Sequence, residues 1–170
     1  QLLEGRGNDT ALERVINIPT RGIGEKTVEA IRENARNCDV SMWESMISMI
    51  ANKRLTGRAS GMMGVFVDLI ESMADKCSEM TLNLMTQTVI EQSGLIAYHK
   101  LEKGEKAQAR AENLAELVNA ASSFEKTEKD EEMTPLSAFI SHASLEAGGT
   151  QNHDHQDSIQ LMTLHSAKGL

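Results

Sequence analysis

Apolar residues recur at helical spacing through almost the whole chain, and that periodicity constrains the fold more than any other feature. "NDTALERVIN" opens with polar capping residues and sets Leu12, Val15 and Ile16 on one face before Pro19 ends the run. "EKTVEAIRENAR" repeats the pattern with Val28, Ile31 and Ala35. "SMWESMISMI" begins with a Ser41/Glu44 capping box and turns Trp43, Met46, Ile47 and Ile50 inward. A longer helix over about 57–76 aligns Met62, Phe66, Leu69, Ile70 and Met73. The next, about 81–93, stops at Gly94, a natural residue for a left-handed helix end. Leu114, Leu117, Val118, Ala121 and Phe124 form the inner face of "GEKAQARAENLAELVNAASSF". Beyond the charged loop "EKTEKDEEM", Thr134 caps a helix that has Pro135 at its first position and Leu136, Phe139, Ile140 and Ala143 inside.

Composition agrees with this reading. Ten Met stand against three Phe, one Tyr and one Trp. Such a chain packs a helical core of Leu, Ile, Met and Ala, with unbranched thioethers filling irregular gaps. The expected fold class is therefore all-α. One stretch departs from it: "SIQLMTLH" is apolar on both faces, as in a buried strand of a parallel sheet, and no other strand in the chain is there to pair with it. The polar, Gly-containing "EAGGTQNHDHQD" before it reads as a linker. With no initial Met and an end inside "HSAKGL", the chain is expected to be a fragment of something longer.

The net charge of −8 argues against a protein wrapped in nucleic acid, but the charge is uneven. Residues 1–64 carry nine Lys/Arg and eight Asp/Glu, and residues 65–170 carry eight and seventeen. Local phosphate contact is thus permitted in the first part. The turn "PTRGIGEKT" lies there and opens a helix. A Gly-rich turn feeding a helix start aims unpaired backbone N–H groups and the positive dipole end at one point, which suits an anion. The turn resembles a helix-hairpin-helix element, in which two glycines let the backbone approach a DNA phosphate. Thr20, Arg21, Gly22, Ile23, Gly24, Lys26 and Thr27 are its candidate residues, with Ile23 packed inward. "LTGRAS" and "EKGEKAQAR" share the logic more weakly and add Arg58, Lys103, Lys106 and Arg110. His153, His155 and Asp157, with distant His142, lie in the linker stretch without a rigid support, so no metal site is expected. Cys38 and Cys77 stand apart, and with no membrane-length apolar run a reducing, cytoplasmic setting is expected.

"TLHSAKGL" at the C-terminal end resembles motif V of the UvrD/PcrA/Rep family of superfamily 1 DNA helicases, and its Ser-Ala-Lys-Gly is closer to the UvrD branch than to Rep. "NDTALERVINIPTRGIGEKT", "GEKAQARAENLAELV" and "LSAFISHASLEAG" are similar to the helical 2B subdomain of that family. The resemblance implies residues 1–7 as the end of a 2A segment, 8–146 as 2B, 147–157 as linker, and 158–170 as a strand of the RecA-like 2A domain carrying the start of motif V. It implies an ATP-dependent 3′–5′ DNA helicase using ATP and Mg, with roles in excision and mismatch repair. Its partners would be duplex and single-stranded DNA, domains 1A, 1B and 2A, and repair proteins. The same resemblance assigns the Gly-Ile-Gly turn to duplex DNA, and Thr163, His165, Ser166, Lys168 and Gly169 to coupling between ATP and single-stranded DNA. The Walker loop is absent from these residues, so the chain alone is expected to be inactive and to bind no cofactor. Two rival readings are a stand-alone helix-hairpin-helix module and a protein-interaction bundle.

Overall fold

A computed structural model describes residues 1–101, 105–125 and 132–150. The elements there are helices throughout: α1 (Asp9–Val15), α2 (Glu25–Cys38), α3 (Met42–Ala51), α4 (Gly57–Cys77), α5 (Leu82–Gln92), α6 (Leu95–Lys100), α7 (Glu105–Ser123) and α8 (Pro135–Thr150). The all-α expectation holds for these residues. Residues 158–170, where a strand is expected, and the His153/His155/Asp157 group lie outside them.

Local chemistry sets the helix ends. Asn8 accepts from the Ala11 N–H at 2.9 Å and starts α1. The Ser41/Glu44 capping box is present at α3, and Thr134 Oγ1 accepts from the Ser137 N–H at 3.0 Å to start α8. Gly94 has φ +81°, so it closes α5 in the left-handed region and at the same time opens α6. Asp9 ties two helices, its carboxylate accepting from the Met42 N–H of α3 at 2.9 Å.

The core gathers Leu12, Ile16, Ile23, Ile31, Met46, Met63 and Phe66, all at most 1% exposed. The α2 and α3 helices pack against each other around one buried polar residue, Ser45. Its hydroxyl donates to the Ile31 carbonyl at 2.9 Å and accepts from Asn34 Nδ2 at 2.9 Å, so its burial leaves no unpaired group. Trp43 meets the Phe66 ring edge-on at 6.3 Å, and the Arg6 guanidinium lies over Trp43 while pairing with Glu71 at 3.0 Å. The α5 helix packs on α4, and α6 and α7 pack on α5. Phe124 meets Phe139 of α8 edge-on at 5.4 Å.

Four expectations need correction. Val15, Ile47 and Met62 are 38–39% exposed, and Ala11, Met49 and Met63 are buried in the same helices. Apolar side chains on several faces of α1, α3 and α4 leave the inward phase open to the tertiary packing. Leu117 is exposed, and its expected core face is carried by half-buried Leu114 and Val118 with buried Ala121. The α6 helix was not expected, because it follows Gly94 directly with no Ser, Thr, Asp or Asn as cap. The α8 helix continues to Thr150, through Gly148 and Gly149, into the stretch that reads as linker. Among the described residues no helix is long and apolar enough to cross a membrane.

Candidate nucleic-acid interface

The Gly-Ile-Gly turn joins α1 to α2. Ile23 is 1% exposed and anchors the turn in the core, leaving Thr20, Gly22 and Gly24 on the surface. Gly22 has φ +74°, where a side chain would be strained, so this glycine is required by the backbone itself. Gly24 has no such torsional requirement. It is extended (φ −79°, ψ 163°), serves as the α2 N-cap, and has open space where a Cβ would stand. Neither torsion nor crowding within the protein requires a glycine there.

As N-cap, Gly24 offers no side chain to the first-turn N–H groups of α2. The Gly24 carbonyl accepts from Thr27 at 2.9 Å and Val28 at 3.2 Å. The exposed end of α2 thus combines uncapped amides, the positive dipole end and exposed Lys26, with half-buried Thr27 behind. Glu25 is exposed in the same turn and opposes an anion there.

Arg21 faces the other way. One terminal nitrogen of its guanidinium donates to the Val15 carbonyl at 2.7 Å and the Pro19 carbonyl at 3.2 Å, and the other to the Ser93 carbonyl at 3.1 Å. Its Cζ lies 5.4 Å from the Phe66 ring centre. Val15 ends α1 and Ser93 caps the C-terminus of α5, so the cation meets two negative dipole ends at once. Burial pushes its pKa down, yet a guanidinium stays charged at any working pH. The Arg21 N–H donates to Asn17 Oδ1 at 2.8 Å. Asn17, Phe66 and Ser93 are the partners of Arg21 that the sequence pattern does not single out for this site. Only Asn17 carried a signal, as an Asn two residues before Pro19 in a turn.

The weaker candidates are spread out. Arg58 is exposed in the first turn of α4, where Thr56 caps the helix through the Ala59 N–H at 3.4 Å. Arg110 is exposed on α7, which packs on α5 and α6, whereas α2 packs on α3. Lys103, the side chain of Lys106, and the motif residues Thr163, His165, Ser166, Lys168 and Gly169 lie outside the described residues. Among the described residues no group of three or more His, Cys, Asp or Glu is placed to hold a metal.

The family model of the UvrD-like helicase C-terminal domain matches residues 1–170. The chain is 46% identical over 170 residues to DNA helicase II of Escherichia coli strain K12, covering all of this chain and 24% of that protein. It is likewise 46% identical to DNA helicase II of Haemophilus influenzae, covering 23% of it. To the ATP-dependent DNA helicase PcrA of Bacillus subtilis it is 27% identical over 176 residues, again 23% of that protein. The chain spans about a quarter of the length of these relatives.

Proposed function

The chain belongs to the UvrD-like helicase C-terminal domain family, and from that premise we propose that it is the duplex-contacting part of a longer ATP-dependent DNA helicase. That protein would move 3′ to 5′ along one strand in the cytoplasm and serve excision and mismatch repair. Residues 8–146 would form its 2B subdomain, with residues 1–7 and 158–170 belonging to 2A. The single observation that carries the reading is the Gly-Ile-Gly turn. An exposed backbone loop at the uncapped start of α2, beside Lys26, sits within residues 1–64, where cations and anions nearly balance.

The contacts would go to phosphate. Backbone amides of Gly22 to Glu25, the Thr20 and Thr27 hydroxyls and the Lys26 ammonium read no base edge, so binding would be indifferent to sequence. Arg58, Lys103, Lys106 and Arg110 would extend the contact. Motif V, with Thr163, His165, Ser166, Lys168 and Gly169, would link the single strand to the nucleotide. Its support is the string "TLHSAKGL" and the family match. The residues present do not fit ATP and Mg by themselves. The 170 residues contain no Gly-x4-Gly-Lys-Ser/Thr loop, and no metal-holding group stands among the described ones. Nucleotide chemistry would fall to the remaining domains of the longer protein.

Titration of labelled duplex at several salt concentrations tests this reading. The 170-residue chain should bind duplexes of different sequence equally, with log K falling with log salt by roughly 0.9 per phosphate contact. Lys26→Ala should weaken binding and make the slope shallower by about one contact. Duplex binding identical in wild type and Lys26→Ala at every salt concentration would remove the turn from the interface.

A further inference from the structure

We propose that Arg21, although it begins the Arg-Gly-Ile-Gly turn, is a positioning residue of the duplex-contacting surface and not one of its phosphate ligands. The inference rests on the proposed function and specifies how that surface is held. A surface Arg serving a phosphate presents its planar fork outward, but this half-buried fork is turned back onto the protein's own carbonyls. It joins the last carbonyl of α1, the Pro19 carbonyl inside the turn and the C-cap carbonyl of α5, over the Phe66 ring. Three donors diverging in one plane bridge three acceptors, an arrangement that only a guanidinium among the side chains supplies. The Ser93 contact crosses 72 residues of sequence. It fixes the turn against the α5–α6 junction at Gly94, whose backbone closes one helix and opens the next. The Arg21 N–H on Asn17 and the buried Ile23 secure the same turn from its two ends. With these anchors in place, Gly22, Gly24 and Lys26 remain exposed for an anion.

Arg21→Lys separates charge from geometry, because an ammonium keeps the charge but gathers its donors on one atom, without the planar fork that spans these carbonyls. Amide hydrogen exchange and salt-dependent duplex titration are to be measured on wild type, Arg21→Lys, Arg21→Gln and Lys26→Gln. In both Arg21 variants, exchange at the Arg21 amide, which Asn17 holds, and over residues 93–95 should quicken together by about tenfold, the scale of a lost hydrogen bond to a charged group. Core amides of Ile31 and Met46 should stay protected. Duplex affinity of both variants should fall about tenfold at fixed salt with an unchanged salt slope, since no phosphate contact is removed. Lys26→Gln should do the reverse, flattening the slope by about 0.9 with exchange unchanged. Wild-type exchange at both places in Arg21→Lys would overturn the inference. So would a slope flattened by about 0.9 in Arg21→Gln, the mark of a phosphate ligand, or loss of protection at Ile31 and Met46, the mark of a purely global role. A wild-type chain without measurable duplex binding would overturn it together with the proposed function. Duplex binding with Arg21→Lys indistinguishable from wild type would overturn the inference alone.

Discussion

The region from Leu2 to Met73 and the region from Leu82 onward are both helical, but they are built to different densities. In the first, α1 to α4 converge on Leu12, Ile31, Met46, Met63 and Phe66, each at most 1% exposed, with Trp43 and Ser45 locked between them. In the second, the buried described residues are Ile90, Ala121, Ala138 and Phe139, and α7 lays a largely exposed surface over α5 and α6. Charge also changes along the chain, nearly balanced in residues 1–64 and strongly acidic from 65 onward, a boundary that falls inside α4. The candidate anion turn belongs to the dense, balanced side, and Arg21 reaches across to the other at Ser93. Backbone amides can serve a rigid, preorganised contact only where the packing beneath them is fixed, and Ile23 supplies that footing.

If packing density distinguishes the two regions, equal truncations should cost unequal amounts. Phe66→Ala, at 1% exposure against Trp43, should lose about 3–5 kcal/mol in denaturant unfolding. Phe139→Ala, at 9% exposure with an edge contact to Phe124, should lose about 2 kcal/mol, because part of its surface already meets water. Equal losses would erase the contrast.

Acid should weaken the dense side through two carboxylates. The Ser41 hydroxyl and backbone N–H hold the Glu44 pKa below its ordinary value, and the Arg6 guanidinium does the same for Glu71. Both folded values lie under the unfolded 4.5, so their contribution is complete above pH 4.5 and disappears as pH falls through the folded values. Ser41→Ala should cost about 1 kcal/mol at neutral pH and flatten the acid limb of the stability profile. An acid limb as steep as that of wild type would separate Glu44 from the capping box.

The smallest effect belongs to the sparse side. Leu101 is 81% exposed, and Leu101→Ala should change stability by less than about 0.5 kcal/mol in thermal unfolding. A loss above 1.4 kcal/mol, a factor of ten in the folding constant, would mean that this surface is covered.

Much of this architecture is legible along the chain wherever a signal is local. The Ser41/Glu44 box, Pro135 after Thr134, the Gly94 helix end and the inward Ile23 act within a few residues of themselves, and each appears where the pattern puts it. The phase of α3 is not legible in this way. Met42, Trp43, Met46, Ile47, Met49 and Ile50 surround that helix, so contact with α2 and α4 chooses Met49 over Ile47. Nor is the direction of Arg21: its neighbours Thr20 and Gly22 suggest an outward cation, but Ser93 and Phe66, which turn it inward, are remote in sequence. The need for glycine is legible at Gly22 and misleading at Gly24, since spacing alone does not distinguish a positive φ from an extended N-cap.

Backbone amide chemical shifts recorded while duplex DNA is added test most directly whether the dense region carries the contact. Saturable shifts are expected to concentrate at Thr20 to Thr27, with smaller ones at Ser93 and Gly94 through the Arg21 bridge, and to disappear at high salt. Shifts confined to α7 and α8, with Gly22, Gly24 and Lys26 unmoved at saturating duplex, would contradict a contact in the dense region.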